Sequence, residues 1–165
     1  MQKELLIMRH AKSSWSDESL NDHQRPLNKR GLANAPAMAD FLLEKGWTPD
    51  LILSSGANRA LSTAKIVAQQ MQEHDIPLHV VDEFYLALPD TYVDVLGNLD
   101  DQFSRPMVIG HNPGLESLVN VLTQQHEFMS TAAVAVVRFS FERWTDLDSS
   151  LNGELVDLYR PKEVL

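Results

Sequence analysis

Leu5-Leu6-Ile7-Met8-Arg9-His10 decides how this chain folds: a short apolar run that stops abruptly on a cation and an imidazole. Two further runs repeat the arrangement. Leu51-Ile52-Leu53-Ser54-Ser55 is followed by Arg59, and Met107-Val108-Ile109-Gly110 by His111. None of the three alternates cleanly between apolar and polar residues, which is the pattern of strands covered on both faces. Laid side by side in a parallel sheet, such strands bring Arg9, His10, Arg59 and His111 together at their carboxyl ends, where open α/β sheets bind ligands. Two arginines and two histidines converging there make a site for an anion, most simply a phosphoryl group.

Working outward, Glu4–Met8, Asp50–Ser54, Leu78–Val81 and Pro106–Gly110 read as buried strands with helices between them. Ala60, Leu61, Ala64, Val67, Ala68 and Met71 share one stripe at helical spacing, and Leu115, Leu118, Val119 and Leu122 form another after the Asn112-Pro113-Gly114 turn. A helix over Asn28–Lys45 is expected to end at Gly46. Pro36 inside it predicts either a start near Asn34 or a kink. Ala133–Phe141 and Gly153–Tyr159 read as two closing strands, separated by the polar, turn-rich stretch Asp146–Asn152. The expected fold class is α/β, a three-layer α/β/α sandwich with a mostly parallel central sheet, built by residues 1–165 as a single domain.

Composition narrows the function. The formal net charge is -9, with 14 Lys and Arg against 23 Asp and Glu, which disfavours a nucleic-acid partner. A cationic pocket on such a chain is a local concentration. No apolar stretch approaches the about 20 residues that span a bilayer, so no membrane role is expected. Met1-Gln2-Lys3-Glu4 runs straight into the first strand without a signal peptide, and a cytoplasmic location is expected. The absence of cysteine excludes disulfides, thiolate nucleophiles and Cys-ligated metals.

Together these residues carry a recognisable pattern. Leu6-Ile7-Met8-Arg9-His10-Ala11 resembles the Arg-His-Gly signature of the histidine phosphatase (phosphoglycerate-mutase-like) superfamily, with Ala11 in place of the usual Gly. Ser54-Ser55, Arg59-Ala60 and Thr63-Ala64 resemble its second-arginine motif, and Val108-Ile109-Gly110-His111-Asn112-Pro113 its second-histidine motif. Arg25-Pro26-Leu27 with Arg30-Gly31, on a chain without large insertions, is similar to the small branch related to the phosphohistidine phosphatase SixA.

The resemblance implies a metal-independent phosphatase, needing no cofactor, in which His10 is the nucleophile and forms a covalent phosphohistidine. Arg9, Arg59 and His111 would bind the phosphoryl group, whose transfer is catalysed mainly by positioning and fixed positive charge. For attack His10 must be neutral, with one ring N–H held by a backbone carbonyl. Arg59 in the first turn of its helix would add backbone amides and the helix dipole, and a protonated His111 a third cation. Ser13 and Asn112 are expected to donate to the phosphate, Ser13 having turn-capping as its alternative role. Arg25 is expected at the substrate, holding the loop with Asp22 or rimming the pocket. Trp15 stands close enough to line the pocket, and Lys12 reads as a surface charge.

Family members that hydrolyse alkyl phosphates generally carry a carboxylic general acid. Here the corresponding place falls at Leu86, and Glu83, Asp90 and Asp82 are the neighbouring candidates. A missing acid favours phosphohistidine, whose imidazole leaves well, over an alkyl ester. The expected partners are therefore a phosphohistidine-bearing protein, either a phosphotransfer domain or a phosphocarrier, or else a small phosphorylated substrate. A small-molecule phosphomonoesterase, a non-catalytic phosphate-binding module with Ala11 crowding the pocket, and a metallohydrolase are the competing readings.

Overall fold

The computed structural model describes residues 2–150 and 153–165, so Leu151 and Asn152 of the expected Asp146–Asn152 turn lie outside it. Its strands are β1 (Glu4–Arg9), β2 (Leu51–Ser54), β3 (Leu78–Val80), β4 (Pro106–Gly110), β5 (Val134–Phe139) and β6 (Gly153–Tyr159). Its helices are α1 (Lys29–Lys45), α2 (Asn58–Gln70), α3 (Pro89–Gly97), α4 (Gly114–Thr123) and the short α5 (Pro161–Val164). The strands form one sheet in the order β3-β2-β4-β1-β5-β6. From β3 to β1 every pairing is parallel, whereas β5 runs antiparallel to β1 and β6 antiparallel to β5.

Successive strand side chains point to opposite faces, and both faces are covered. Leu5, Ile7, Leu51, Leu53 and Val108 pack with α3 and α4, while Leu6, Met8, Ile52, Met107 and Ile109 pack with α1 and α2. Two cores on one sheet explain the unbroken apolar runs, because neither side of these strands meets water. None of the helices is long and apolar enough to cross a membrane among the described residues.

Helix α1 begins at Lys29, not Asn34. Asn28 caps it by accepting from the Gly31 N–H at 2.9 Å, and Gly46 ends it at φ 80°. Pro36 lies inside the helix. It forfeits only the bond to the carbonyl of Leu32, an exposed residue, and capping with apolar burial outweighs that loss. Helix α3 is an element the sequence pattern did not reveal. At nine residues, with Pro89 leading and Tyr92, Val93 and Leu96 buried, it is too short to show a period.

Candidate active site

Strand β4 lies between β1 and β2, so the carboxyl ends of three parallel strands sit next to one another. The pairing continues one residue beyond the strands: the His10 N–H donates to the Gly110 carbonyl at 3.1 Å and the Ser55 N–H to the Ile109 carbonyl at 3.0 Å. Backbone pairing thus fixes where His10, Ser55 and His111 leave the sheet. Arg59 follows in the first turn of α2. These ends open into a cavity of about 210 Å³ lined by Arg9, His10, Lys12, Ser13, Trp15, Arg25, Arg59, Leu86, His111, Asn112 and Thr131. Four of these are cations and none is a carboxylate. A larger cavity of about 410 Å³ beside α4 presents Glu116 and Glu127 with no Lys or Arg, and so does not suit an anion.

His10 is almost wholly buried, and its Nδ1 lies 2.7 Å from the Ala11 carbonyl. A carbonyl only accepts, so Nδ1 carries the proton and Nε2 keeps its lone pair. Burial, chiefly, lowers the pKa of His10 to about 3, with His111, Arg59 and Arg9 adding to the effect. The ring of His111 lies 5.2 Å away, its Nε2 is 2.8 Å from Ser55 Oγ, and its Nδ1 is buried without a protein partner. Burial and then Arg59 lower its pKa to about 4, which favours the neutral ring over the protonated form that would supply a third cation. An arriving phosphoryl dianion acts in the opposite direction and favours protonation.

Both guanidinium groups keep buried donors in reserve. Arg59 gives Nη1 to the Asp22 carbonyl at 2.7 Å and Nη2 to Asp22 Oδ2 at 2.9 Å, and its Nε has no partner. Arg9 gives Nη1 to the Met129 carbonyl at 3.1 Å, and its Nε is likewise unpartnered. Buried unpaired donors are costly, and two of them belong to arginines that line one cavity. Asp22 also accepts from the Tyr85 hydroxyl at 2.6 Å and from Arg25 Nε at 3.1 Å. Tyr85, Arg59 and Arg25 together hold the Asp22 carboxyl down to about 2, so Asp22 is a fixed anion that orients Arg59 and has no proton to give.

Around this centre several expectations need revision. Asn112 spends both amide hydrogens, on Glu116 Oε2 at 3.0 Å and the Met129 carbonyl at 2.9 Å, so the donor expected from it is already engaged. Glu83 and Asp90 are exposed and do not line the cavity; Leu86, held at φ 52°, does. Of α2, Arg59 alone lines the cavity among the described residues. Lys12 is exposed, as a surface charge would be, yet it lines the cavity. The methyl of Ala11 points into the α1–α2 core with no exposure, and the Ala11 N–H bonds to Thr63 Oγ1 at 3.0 Å, so it does not crowd the pocket.

Ser13 and Arg25 stand together at the rim. Ser13 Oγ accepts from Arg25 Nη1 at 2.8 Å, which leaves the serine proton free for a ligand. Arg25 both holds the loop, through Asp22 and the Ser14 carbonyl, and borders the cavity with its guanidinium 3.4 Å from the Trp15 ring centre. Tyr85 and Thr131 escaped the sequence reading. Tyr85 sits in a loop whose carboxylates drew attention first. Thr131 belongs to a turn that backbone bonds from Ala132 to the Arg9 and His10 carbonyls bring to the site. No group of three or more His, Asp or Glu side chains suited to a metal ion occurs among the described residues.

Comparison with known proteins decides the family. Residues 5–85 match the model of the histidine phosphatase superfamily (branch 1). An uncharacterized chloroplastic protein of Arabidopsis thaliana is 34% identical over 152 residues, covering 87% of this chain and 70% of that one.

The chain belongs to the histidine phosphatase superfamily.

Among solved structures, one from Agrobacterium tumefaciens assigned as the phosphohistidine phosphatase SixA is 26% identical. It superposes with a TM-score of 0.83 over 98% of this chain and 99% of that one. The protein histidine phosphatase SixA complexed with tungstate shares the fold, with a TM-score of 0.82 at 24% identity over 98% and 99% of the two chains. This histidine phosphatase therefore falls in the SixA-like branch and is a phosphatase hydrolase.

The two imidazoles of the phosphatase site have a measurable consequence. Their folded-state pKa values lie below the usual 6.5, so between pH 6.5 and about 3 the unfolded chain binds more protons than the folded one. Stability is therefore full above pH 6.5 and is lost as pH falls through that window. NMR titration of the free protein should give midpoints near 3 for His10 and near 4 for His111. Midpoints near 6.5 would contradict the burial described here.

Proposed function

We propose that this histidine phosphatase removes phosphoryl groups from phosphohistidine side chains of a partner protein, a phosphotransfer domain or a phosphocarrier. The observation that carries the reading is the wall of the cavity: Leu86 stands there, and Glu83, Asp90 and Asp82 do not. An alkoxide leaves phosphorus badly without a proton. An imidazole protonated at its distal nitrogen leaves as a neutral molecule and needs no acid from the enzyme. The phosphohistidine phosphatase assigned to Agrobacterium tumefaciens, matched over nearly its whole length, supports the same class of substrate.

In this mechanism His10 Nε2 attacks phosphorus in line with the leaving nitrogen. The P–N bond to the substrate breaks as the P–N bond to His10 forms. Arg9, Arg59 and His111 draw charge from the three equatorial oxygens, with Ser13 adding a neutral donor. Arg25 steadies Ser13 and the rim. In the second step a water attacks phosphorus, the His10 P–N bond breaks, and phosphate leaves with the water oxygen. The Ala11 carbonyl holds His10 in the attacking tautomer throughout.

Phosphate release should be measured from a phosphohistidine protein, an aryl phosphate and an alkyl phosphate, with chelator present. Fast release from the first two with little from the third is the expected result. Glu83→Gln and Asp90→Asn should leave all three rates within about twofold, since exposed side chains away from reacting atoms contribute no proton transfer. Rapid alkyl ester turnover abolished by either variant would replace this reading with a small-molecule phosphomonoesterase.

A further inference from the structure

A second, smaller cleft of about 120 Å³ adjoins the catalytic cavity, with Lys12 and Thr131 lining both. Arg30, Lys162, Asn34 and Ser130 complete its polar wall, again without a carboxylate. Three cations thus face one cleft on a chain whose net charge is -9. Lys12, Arg30 and Lys162 have no ion-pair or hydrogen-bond partner for their side chains among the described residues. Arg105 and Arg138, by contrast, are paired with Glu4, and Arg160 with Glu127 and Glu163.

The cleft is also rigidly built. The Asn28 N–H donates to the Lys12 carbonyl at 3.0 Å, and Ser13 pairs with Leu27 across the same junction. Gly31 approaches so closely that a Cβ there would stand 2.2 Å from the Lys12 carbonyl oxygen. This contact sets Lys12 beside Arg30, and Asn34 lies one turn further along α1. On the far wall, Ala132 bonds to the Arg9 and His10 carbonyls, which ties Thr131 and Ser130 to the catalytic strand. Like charges gathered around one cleft cost stability, a cost that a bound anion offsets.

We propose that this cleft is a subsite for a second anionic group carried by the substrate, an acidic side chain lying beside the phosphohistidine of the partner protein. The proposal rests on the reading of the neighbouring cavity as the phosphoryl site. An acidic surface repels an acidic partner from every other direction, so the same charges that bind the second anion also orient the encounter.

Two substrate pairs test the subsite at low ionic strength. One is a phosphohistidine peptide flanked by Glu or by Gln, and the other is phenyl phosphate with or without a ring carboxylate. In the wild-type protein, kcat/KM for the acidic peptide should exceed that for the neutral one by about tenfold, with the preference fading as salt screens it. Arg30→Glu combined with Lys162→Glu should bring the ratio to one or below, while Arg30→Lys with Lys162→Arg should keep it. Both positions are exposed, so the fold tolerates either change. A preference confined to the ester pair, with neither peptide turned over, defeats the phosphohistidine reading and leaves the anion subsite standing with a small phosphorylated substrate as its source. Equal rates within both pairs, or a preference that survives charge reversal, overturns the subsite.

Discussion

The His10→Ala variant is expected to lose about 10⁴-fold or more of kcat on a phosphohistidine protein and on an aryl phosphate alike, because the two-step route through a phosphoenzyme closes altogether. The structure makes the expectation sharp. His10 offers Nε2 to the cavity with Nδ1 tied to the Ala11 carbonyl, and burial keeps the ring unprotonated down to about pH 3. Nothing else lining the cavity replaces it. His111 stands 5.2 Å away between rings, with its Nε2 engaged with Ser55. Brief incubation with ³²P-labelled substrate followed by quenching in base should trap an acid-labile label on the wild-type protein and none on the variant. Removing a buried imidazole that is costly to protonate should leave the folded state intact above pH 6.5. A variant that turns over at near-normal rate, or that still traps label, would sink the mechanism.

Arg59→Ala carries the second large effect, a loss of about 10²–10³-fold in kcat/KM, with most of it in kcat. A guanidinium has five N–H donors in a rigid plane. Here two are committed to Asp22, and the buried Nε waits without a partner. The group is thus held in one orientation before the anion arrives, and its charge matters most when negative charge spreads over the equatorial oxygens. Arg59→Lys should recover little, since a single ammonium cannot bond Asp22 at two points and still face the phosphoryl group. The same substitution to Ala removes one of the contacts that hold the Asp22 carboxyl near 2, so that group should titrate higher in the variant, with the Tyr85 and Arg25 contacts still restraining it. Steady-state kinetics together with a carboxylate NMR titration separates the two effects. A loss confined to KM, or one smaller than tenfold, would mean that Arg59 only binds the ground state.

Several features were legible in the chain before any fold was drawn. The unbroken apolar runs ending on Arg9-His10, near Arg59 and on His111 implied strands buried on both faces, and the alternation of strands and helices implied a parallel sheet. Both follow from local chemistry: a strand covered on two sides has no polar face, and a polar residue ending such a run must meet solvent or a ligand. The tautomer-fixing carbonyl expected for His10 followed from the nucleophile role that the family resemblance implies, and the next residue, Ala11, supplies it.

Other features depended on contacts between residues far apart in sequence. The expected helix over Asn28–Lys45 kept two alternatives at Pro36, a start near Asn34 or a kink, because the cost of Pro36 is visible in the chain, whereas the compensating burial of Ala35, Met38, Ala39 and Leu42 against α2 and the sheet is not. Asn112 looked like a phosphate donor until Glu116 and the Met129 carbonyl claimed its hydrogens. The protonation state of His111 depends on burial and on Arg59 from the first turn of α2.

By itself, then, the sequence determined the layered α/β architecture and the four cationic and imidazole side chains at the strand ends, because periodicity and residue chemistry are local properties. Only the tertiary structure decided which donors remain free, which carboxylates reach the cavity, and that Lys12, Arg30 and Lys162 share one cleft. Those outcomes depend on loops and helices from distant parts of the chain meeting around a single point, and no spacing along the chain encodes that distance.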